Sequence, residues 1–214
     1  EISECLVGSE MCIRDRNTDI KLVALDLDRT TLNSESHLSE VNRQALIDAI
    51  GNGVHVCIAS GRAFDTLPED VISVPGIEYA ITSNGAAIYR IAGKECLKSY
   101  VLTSESVKTI LKLTENDIVT YEAFIKGQAF ASTEYIRHPE KYGATEHSLA
   151  YVKKTRLLKD DIKGFILEHC HELDSLDIVV GDDELKKNIM DRIRKATDEV
   201  YMTSSISQLL EISY

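Results

Sequence analysis

Three short apolar runs, each followed by a polar or glycine-containing segment, lie within residues 21–86 of this 214-residue chain. The runs are Lys21–Leu27, Val54–Ala59 and Tyr79–Thr82, and stretches with helical spacing separate them. This order of strand, helix, strand, helix and strand is typical of an α/β fold with a parallel sheet and right-handed crossovers. The first run is almost continuously apolar, which predicts a strand buried on both faces.

The two intervening stretches are predicted to be helices. The first begins after the N-cap residue Ser39 and ends at Gly51. The second is expected to open at Ser60-Gly61-Arg62, where a hydroxyl, a glycine backbone and helix N-terminal N–H groups would form an anion-binding cradle. An ordinary capping serine is the alternative interpretation of Ser60.

In sheets of this kind, ligands bind at the carboxyl ends of the strands. The segments that follow the three runs there are Asp26-Leu27-Asp28, Ser60-Gly61-Arg62 and Ser83-Asn84-Gly85. We therefore expect the three segments to meet at one site.

Asp26 and Asp28 are two residues apart at a strand end, so both carboxylates are expected to point the same way. Two adjacent negative charges favour a divalent cation, and oxygen ligands favour Mg²⁺. One carboxylate can then attack phosphorus while the other exchanges protons with the leaving group and water. The alternative is a pair of solvated loop carboxylates without a catalytic role.

After about residue 88 the pattern changes to hairpins mixed with helices. Turns are predicted at Gly93 and Gly127, a helix after Ser104, and further helices near 159–169 and 183–196. This mixture indicates a separate α+β domain. The short basic cluster Lys153-Lys154-Arg156 is interpreted as a solvated face, with contact to a substrate phosphate as the alternative. Candidates for the substrate-facing surface of this domain are Tyr121, Glu122, Phe124, Tyr135 and Tyr142.

Composition excludes several classes of protein. The net charge is −11 and no block of Lys or Arg is present, which argues against nucleic-acid binding. No apolar run reaches the roughly 18 residues of a membrane span. The cysteines are odd in number and widely spaced, which predicts reduced thiols in a cytoplasmic protein. They are Cys5, Cys12, Cys57, Cys96 and Cys170.

Three motifs in this order resemble the haloacid dehalogenase (HAD) superfamily, Cof-type subfamily IIB: Asp26-Leu27-Asp28-Arg29-Thr30, Ala59-Ser60-Gly61-Arg62 and Ser83-Asn84-Gly85-Ala86. The resemblance covers about residues 18–214. It implies a Rossmann-like parallel-sheet core, incomplete in this chain, with an inserted α+β cap domain that closes over the site and selects substrates.

By this resemblance, Asp26 is the nucleophile and a metal ligand through its carboxylate. Asp28 is the general acid/base, and its backbone carbonyl binds Mg²⁺. Ser60 and Gly61 would hold the transferring phosphoryl group. The residues expected on the substrate side are Asn84, Gly85 and Arg62.

The resemblance also divides the chain. Residues 17–89 would form the N-terminal half of the core, 90–205 the cap, and 206–214 the start of the return to the core. Residues 1–16 resemble a translated sequencing adapter and are predicted to be a non-native or disordered tail. The family usually has glycine where this chain has Arg29, so we expect an ordinary or slightly strained turn there.

Two further motifs of the family, a lysine and a final acidic segment, are expected beyond Tyr214. Gly181-Asp182-Asp183-Glu184 looks like the acidic segment, but it lacks a second acid at the expected spacing. A turn and helix N-cap explain it instead. We therefore predict that this chain alone is poorly soluble and nearly inactive.

The function predicted for the full gene product is that of a phosphoric monoester hydrolase, a Mg²⁺-dependent phosphatase of small phosphorylated metabolites such as sugar phosphates. Phosphomutase activity within the same superfamily is one alternative. A non-catalytic phosphoacceptor or binding protein is the other. The specific substrate and the oligomeric state are not encoded in any of these motifs.

Overall fold

The computed structural model describes residues 20–214, so the tail predicted at 1–16 lies outside the described residues. Within them the strands form two sheets. The first, which we call the core sheet, contains β1 (Leu22–Leu25), β2 (His55–Ala59), β3 (Ile77–Thr82), β4 (Ala87–Arg90) and β5 (Glu95–Ser99). Its spatial order is β1-β2-β3-β4-β5.

The core sheet is mixed. β1 and β2 are parallel, as are β2 and β3, which confirms the predicted α/β arrangement. β4 and β5 continue the sheet as antiparallel strands. The predicted boundary between residues 89 and 90 is therefore wrong, because it falls inside β4. The hairpin around Gly93 belongs to the core sheet, since a tight turn lets each strand pair with the one before it.

The first strand is less buried than predicted. β1 lies at the edge of the core sheet and pairs with β2 within the described chain. Leu22 is 59% exposed. The following helix, α1 (Glu40–Gly51), contains no fully buried residue, so it covers β1 only partly. Its N-cap is Ser39 as predicted, with the side chain accepting from the Asn42 N–H at 3.2 Å.

No helix opens at Ser60, which corrects the second helix prediction. The chain passes through a loop into a 3₁₀ turn at Phe64–Thr66, and only then into the short helix α2 (Glu69–Ile72). The Ser60 hydroxyl accepts from the Arg62 N–H at 3.2 Å, a local bond that competes with helix formation. Pro68 then sets the start of α2.

The second sheet, which we call the cap sheet, has the spatial order β10-β11-β9-β6-β7-β8. Its strands are β6 (Thr120–Ile125), β7 (Gln128–Ser132), β8 (Leu157–Lys159), β9 (Leu173–Val179), β10 (Tyr201–Thr203) and β11 (Leu209–Ser213). The helices of this part are α3 (Ser104–Leu113), α4 (Thr133–Arg137), α5 (Glu146–Thr155), α6 (Ile162–Glu168) and α7 (Asp183–Ala196).

The return to the core predicted at 206–214 is not seen. β11 is instead an internal strand of the cap sheet, in antiparallel register with β9 and β10. Its alternating apolar residues account for this, because Leu210 and Ile212 are fully buried against the helices on one face.

One face of the cap sheet packs on α3, α6 and α7. The other packs partly on Tyr135, Tyr142 and Val152 of the segment between β7 and β8, and partly on the core. The fully buried Tyr121 lies on the helix-covered face, which corrects its assignment to the substrate-facing surface. On the opposite face, Phe124 and Ala129 pack against Ala63 of the loop after β2. The Asp65 N–H donates to the Gly127 carbonyl at 2.9 Å. The cap sheet thus covers the loop that carries the Ser60 motif.

Among residues 20–214, no helix has both the length and the apolar character required to cross a membrane.

Candidate active site

The acidic segment after β1 forms a turn over Leu27–Thr31. Leu27 is fully buried, whereas Asp26 and Asp28 on either side are exposed, so the two acids point away from the core together. The Thr30 hydroxyl donates to Asp26 Oδ2 and the Thr31 hydroxyl donates to the Asp26 carbonyl, both at 2.6 Å. The turn therefore fixes Asp26 through its side chain and its backbone.

Arg29 adopts the left-handed conformation, with φ of 62° and ψ of 9°. A non-glycine residue in this region costs about 1–2 kcal/mol. The backbone here has the conformation that glycine, the residue usual in the family, adopts without strain. Arg29 adopts it at this energetic cost, which agrees with the slightly strained turn expected from the sequence.

Ser60 lies at the same edge of the core sheet as Asp26. Leu25 of β1 is paired with Ile58 of β2, so Asp26 and Ser60 both follow the carboxyl ends of adjacent parallel strands. Such strands are about 4.7–4.9 Å apart. Ser60 is buried, and its N–H donates to the Ile81 carbonyl of β3 at 2.9 Å, which fixes the loop to the sheet.

The third motif packs directly on the second. A Cβ added to Gly61 would lie 2.5 Å from Asn84 Oδ1, so glycine is needed for this close approach. The Ser83 N–H donates to the Arg62 carbonyl at 2.9 Å. Asn84 has a φ of 55°, a conformation that asparagine tolerates better than most residues. The structure therefore brings the three motifs together.

Arg62 joins the second motif to the first. Its Nε and Nη2 donate to the two carboxylate oxygens of Asp28, at 2.8 and 2.6 Å. Nη1 donates to the Thr66 carbonyl at 3.2 Å. The hydrogen bonds to Asp28 raise the pKa of Arg62. Sequence reasoning placed Arg62 on the substrate side, and the structure adds that it holds the predicted acid/base.

The cap presents aromatic and charged side chains to this site, from α5 and its C-cap residue Arg156 and from the cap sheet. The Arg62 guanidinium lies 5.2 Å from the ring centre of Tyr151, and Arg156 lies 5.1 Å from the same ring. Arg156 Nε donates to Glu122 Oε2 at 2.6 Å. At the other side, Asn84 Nδ2 donates to Glu211 Oε1 at 3.4 Å. Polar contacts thus run from the core motifs to the cap sheet on both sides of the site.

Comparison with known proteins gives the family. A profile of the haloacid dehalogenase-like hydrolases matches residues 23–214, which is most of the chain. The chain belongs to the haloacid dehalogenase-like hydrolase family. The resemblance seen in the three motifs is confirmed at this level.

Curated relatives of this HAD-family chain align with only part of it. The 5-amino-6-(5-phospho-D-ribitylamino)uracil phosphatase YcsE of Bacillus subtilis is 39% identical over 79 residues, which is 37% of this chain and 32% of that protein. The chain spans about a third of the length of the curated relatives it matches.

Solved structures match over more of the HAD-family chain. A haloacid dehalogenase-like hydrolase from Bacteroides thetaiotaomicron has a TM-score of 0.69 at 20% identity, covering 91% of this chain and 71% of that one. The subclass IIB sugar phosphatase BT4131 has a TM-score of 0.66 at 16% identity, covering 90% and 69%. At these identities the likeness establishes a shared fold.

The HAD family implies a bound Mg²⁺, and the turn after β1 offers oxygen atoms that suit this ion. The Asp26 carboxylate and the Asp28 carbonyl are hard oxygen donors on one turn, which suits Mg²⁺ in kind. Both carboxylate oxygens of Asp28 are taken by Arg62, so its backbone oxygen is the donor that fits. Within residues 20–214, no three His, Cys, Asp or Glu side chains are grouped to hold a metal ion.

The acidic segment at 181–184 lies on a different element. Asp182 is the N-cap of α7, and its Oδ1 accepts from the Leu185 N–H. This confirms the N-cap interpretation of the Gly-Asp-Asp-Glu segment.

Two features of the site were missed from the sequence. Arg156 was interpreted as part of a solvated face, yet its side chain is 8% exposed and paired with Glu122. Glu211, which accepts from Asn84, is the other. The available signal was a single acid between the apolar residues of β11, because such a residue needs a partner when its strand lies inside a sheet.

Proposed function

We propose that this protein hydrolyses phosphate monoesters of small metabolites, with Asp26 as the nucleophile and Asp28 as the general acid/base. One observation carries the proposal. Asp26 and Ser60 lie at the ends of adjacent parallel strands, and Arg62 of the Ser60 motif holds Asp28 through both carboxylate oxygens. Nucleophile, proton carrier and phosphate-binding loop are therefore within one small region.

The reaction would proceed in two steps. A carboxylate oxygen of Asp26 attacks phosphorus, the bond from phosphorus to the ester oxygen breaks, and protonated Asp28 gives its proton to that oxygen. Water then attacks the phosphorus of the aspartyl-phosphate and gives a proton to Asp28. Inorganic phosphate leaves, and the Asp26 carboxylate is regenerated.

Arg62 would control which role Asp28 plays. In the arrangement seen here, both carboxylate oxygens of Asp28 accept hydrogen bonds from the Arg62 guanidinium and are therefore occupied. Proton donation to the leaving group requires Asp28 to separate from Arg62. We propose that the incoming phosphoryl group draws the Arg62 guanidinium to itself and releases Asp28.

Ser60 and Gly61 would bind the phosphoryl oxygens. The Ser60 hydroxyl accepts from the Arg62 N–H, and the absence of a side chain at Gly61 lets Asn84 pack directly against this loop. Mg²⁺ held by the Asp26 carboxylate and the Asp28 carbonyl would, when bound, neutralise charge on the phosphoryl group. The substrate-side roles of Asn84 and Gly85 belong to the same proposal.

The kind of substrate follows from the relatives and the fold. The relative named above is a phosphatase of a phosphorylated ribitylamino compound, and one solved structure is that of a sugar phosphatase. We propose a substrate of this class, a small phosphorylated metabolite. A cytoplasmic location is part of this proposal, supported by free thiols at Cys57, Cys96 and Cys170.

The test is release of inorganic phosphate from p-nitrophenyl phosphate by the full-length gene product with Mg²⁺. Repeated turnover that is lost in Asp26→Asn supports the proposal. A stable phosphorylated protein without turnover indicates a phosphoacceptor. An isomerised sugar phosphate without free phosphate indicates a mutase.

A further inference from the structure

The guanidinium of Arg62 is held from two sides. On the core side its N–H groups donate to both carboxylate oxygens of Asp28 and to the Thr66 carbonyl. On the other side its Cζ lies 5.2 Å from the ring centre of Tyr151 in α5. The Asp28 side chain is half exposed, whereas that of Arg62 is only 10% exposed. The charged group of Arg62 therefore lies between the candidate site and an aromatic ring of the cap.

The end of α5 fixes the backbone that carries this ring. The Thr155 hydroxyl donates to the Tyr151 carbonyl at 2.7 Å, and Arg156 Nη1 donates to Thr155 Oγ1 at 3.1 Å. The neighbouring Val152 is buried in the cluster that packs α5 on the cap sheet. Tyr151 is therefore anchored to the cap sheet. Arg62 is the more flexible partner in the contact, because an arginine side chain has more rotamers to lose.

A second guanidinium borders the same ring but has a different environment. Arg156 lies 5.1 Å from the ring centre of Tyr151 and is paired with Glu122. The side chains of this pair are 8% and 4% exposed, so Arg156 is neutralised and held in place. Arg62 differs, because its partner Asp28 must separate from it in the proposed reaction. Of the two cations at the ring, Arg62 is the one whose role requires movement.

The two kinds of contact to Arg62 respond differently to such movement. Hydrogen bonds to Asp28 need N–H groups aimed at the carboxylate oxygens, so they break when the guanidinium shifts. Attraction to the face of a ring is electrostatic and lacks this strict alignment. The Arg62 guanidinium can therefore move from Asp28 to a phosphoryl group while it stays against the Tyr151 ring. The contact also joins α5 of the cap to the loop after β2 of the core.

We infer that Tyr151 is a positioning residue, whose ring keeps the Arg62 guanidinium within reach of both Asp28 and the phosphoryl group during the reaction. It acts through Arg62 and not through contact with the reacting atoms. This inference rests on the proposed function and adds a residue that lies outside the three motifs of the core.

The first test compares variants of Tyr151 in the full-length gene product, with p-nitrophenyl phosphate and Mg²⁺. The attraction between a cation and an aromatic ring corresponds to about two- to thirtyfold in an equilibrium constant. We expect Tyr151→Leu to lower kcat/KM by about three- to tenfold, and Tyr151→Phe, which keeps the ring, to stay within about twofold of wild type. The matched control is Tyr79→Leu, at an exposed tyrosine of β3, which should also stay within about twofold.

A double-mutant cycle shows whether Tyr151 acts through Arg62. In the Arg62→Ala background, Tyr151→Leu should change kcat/KM by less than about twofold, because the group that the ring retains is gone. A ring that contacts the substrate directly would cost the same factor in both backgrounds, and this result would overturn the inference. Equal losses in Tyr151→Phe and Tyr151→Leu would also overturn it, because the hydroxyl would then be the active group.

A fluorinated series keeps the shape of the side chain and therefore does not depend on how well a leucine packs. Phenylalanine and its mono-, di- and trifluorinated forms at position 151 withdraw negative charge stepwise from the face of the ring. The value of kcat/KM should fall with each fluorine when Arg62 is present and stay level in Arg62→Ala. A level series with Arg62 in place would contradict the inference. Failure of the proposed function looks different, because the wild-type protein would then release no phosphate, and the inference would fall with it.

Discussion

The core sheet and the cap sheet place their functional side chains in opposite ways. In the core, the motif residues follow the ends of strands, in turns exposed to solvent, and Asp26 and Asp28 are both exposed. In the cap, the charged residues lie in the middle of strands, and Glu122 and Asp177 are buried. In the proposed function the exposed acids of the core are the groups that react, and the buried charges of the cap are fixed in place by the strands around them.

Burial and backbone conformation follow the same division. Every residue of β6 and β9 is buried, whereas none of β1 is. Of the positive-φ residues of the core, Arg29, Ser83, Asn84 and Gly85 lie in the turns of the candidate site, and the first three are not glycine. Strained turns of this kind persist only where the surrounding structure holds them, and they are frequent at active sites.

The largest expected effect tests the reactive side of this comparison. Asp26→Asn should lower kcat with p-nitrophenyl phosphate by at least about 10³-fold, because the nucleophile is lost while its size is kept. The control is Asp182→Asn, which keeps an N-cap residue at α7 and should stay within about twofold of wild type. Substantial residual turnover in Asp26→Asn would contradict the assignment of the nucleophile.

A smaller loss is expected at Arg62, where the core and the cap meet. Arg62→Ala should reduce kcat/KM by about 10²-fold, since it removes both the clamp on Asp28 and a charge beside the phosphoryl site. Arg62→Lys should recover only part, because an ammonium cannot make the paired contacts of a guanidinium. Steady-state kinetics of the two variants gives the answer, and full recovery in Arg62→Lys would show that charge alone matters.

The same contrast explains what the sequence could predict. The core site consists of contiguous segments such as Asp26–Asp28 and Ser60–Arg62, so local spacing and strand order were sufficient to bring them together. In the cap sheet, by contrast, the acids Glu122, Asp177 and Glu211 lie far apart in the sequence and are neighbours only because of the register of β6, β9 and β11. Register depends on the pairing of distant strands, and no local pattern specifies it.

Errors in the predicted fold have a similar origin. The hairpin around Gly93 is predicted to belong to the cap because antiparallel hairpins are typical of an α+β domain, yet β4 pairs with β3 of the core sheet. The helix expected at Ser60 was displaced by a local hydrogen bond to Arg62. The first error came from strand pairing, and the second from a local side-chain hydrogen bond that competes with the helix.

The contact between the two sheets can be tested at Gly127. A Cβ there would lie 3.0 Å from both Phe64 Cβ and Tyr89 Oη, and the backbone φ is +81°. Gly127→Ala should therefore lower stability by about 1–3 kcal/mol, measured as the free energy of unfolding in denaturant. Gly93→Ala is the matched control, because its φ is +78° with open space around the Cβ position. Equal losses in the two variants would show backbone strain alone, without a role for packing between the sheets.

The smallest expected effect is on the pH dependence of stability, which should differ between the buried acid Asp177 and the exposed acids of the protein. Burial, followed by repulsion from Glu122 and Glu211, raises the pKa of Asp177 above its usual 3.8. The folded protein therefore holds a proton that the unfolded chain releases above that pH. The resulting stability is complete below pH 3.8 and is lost as the pH rises through the higher pKa of the folded state.

Asn cannot titrate, so Asp177→Asn lacks this loss of stability. The melting temperature of Asp177→Asn should therefore increase relative to that of wild type as the pH rises. We expect a relative gain of about 2–4 °C between about pH 4 and pH 8, measured by calorimetry. The exposed Asp191→Asn of α7 serves as the control and should follow the wild-type curve. If Asp177→Asn also followed that curve, Asp177 would be ionised and balanced by the positive charge of Arg156.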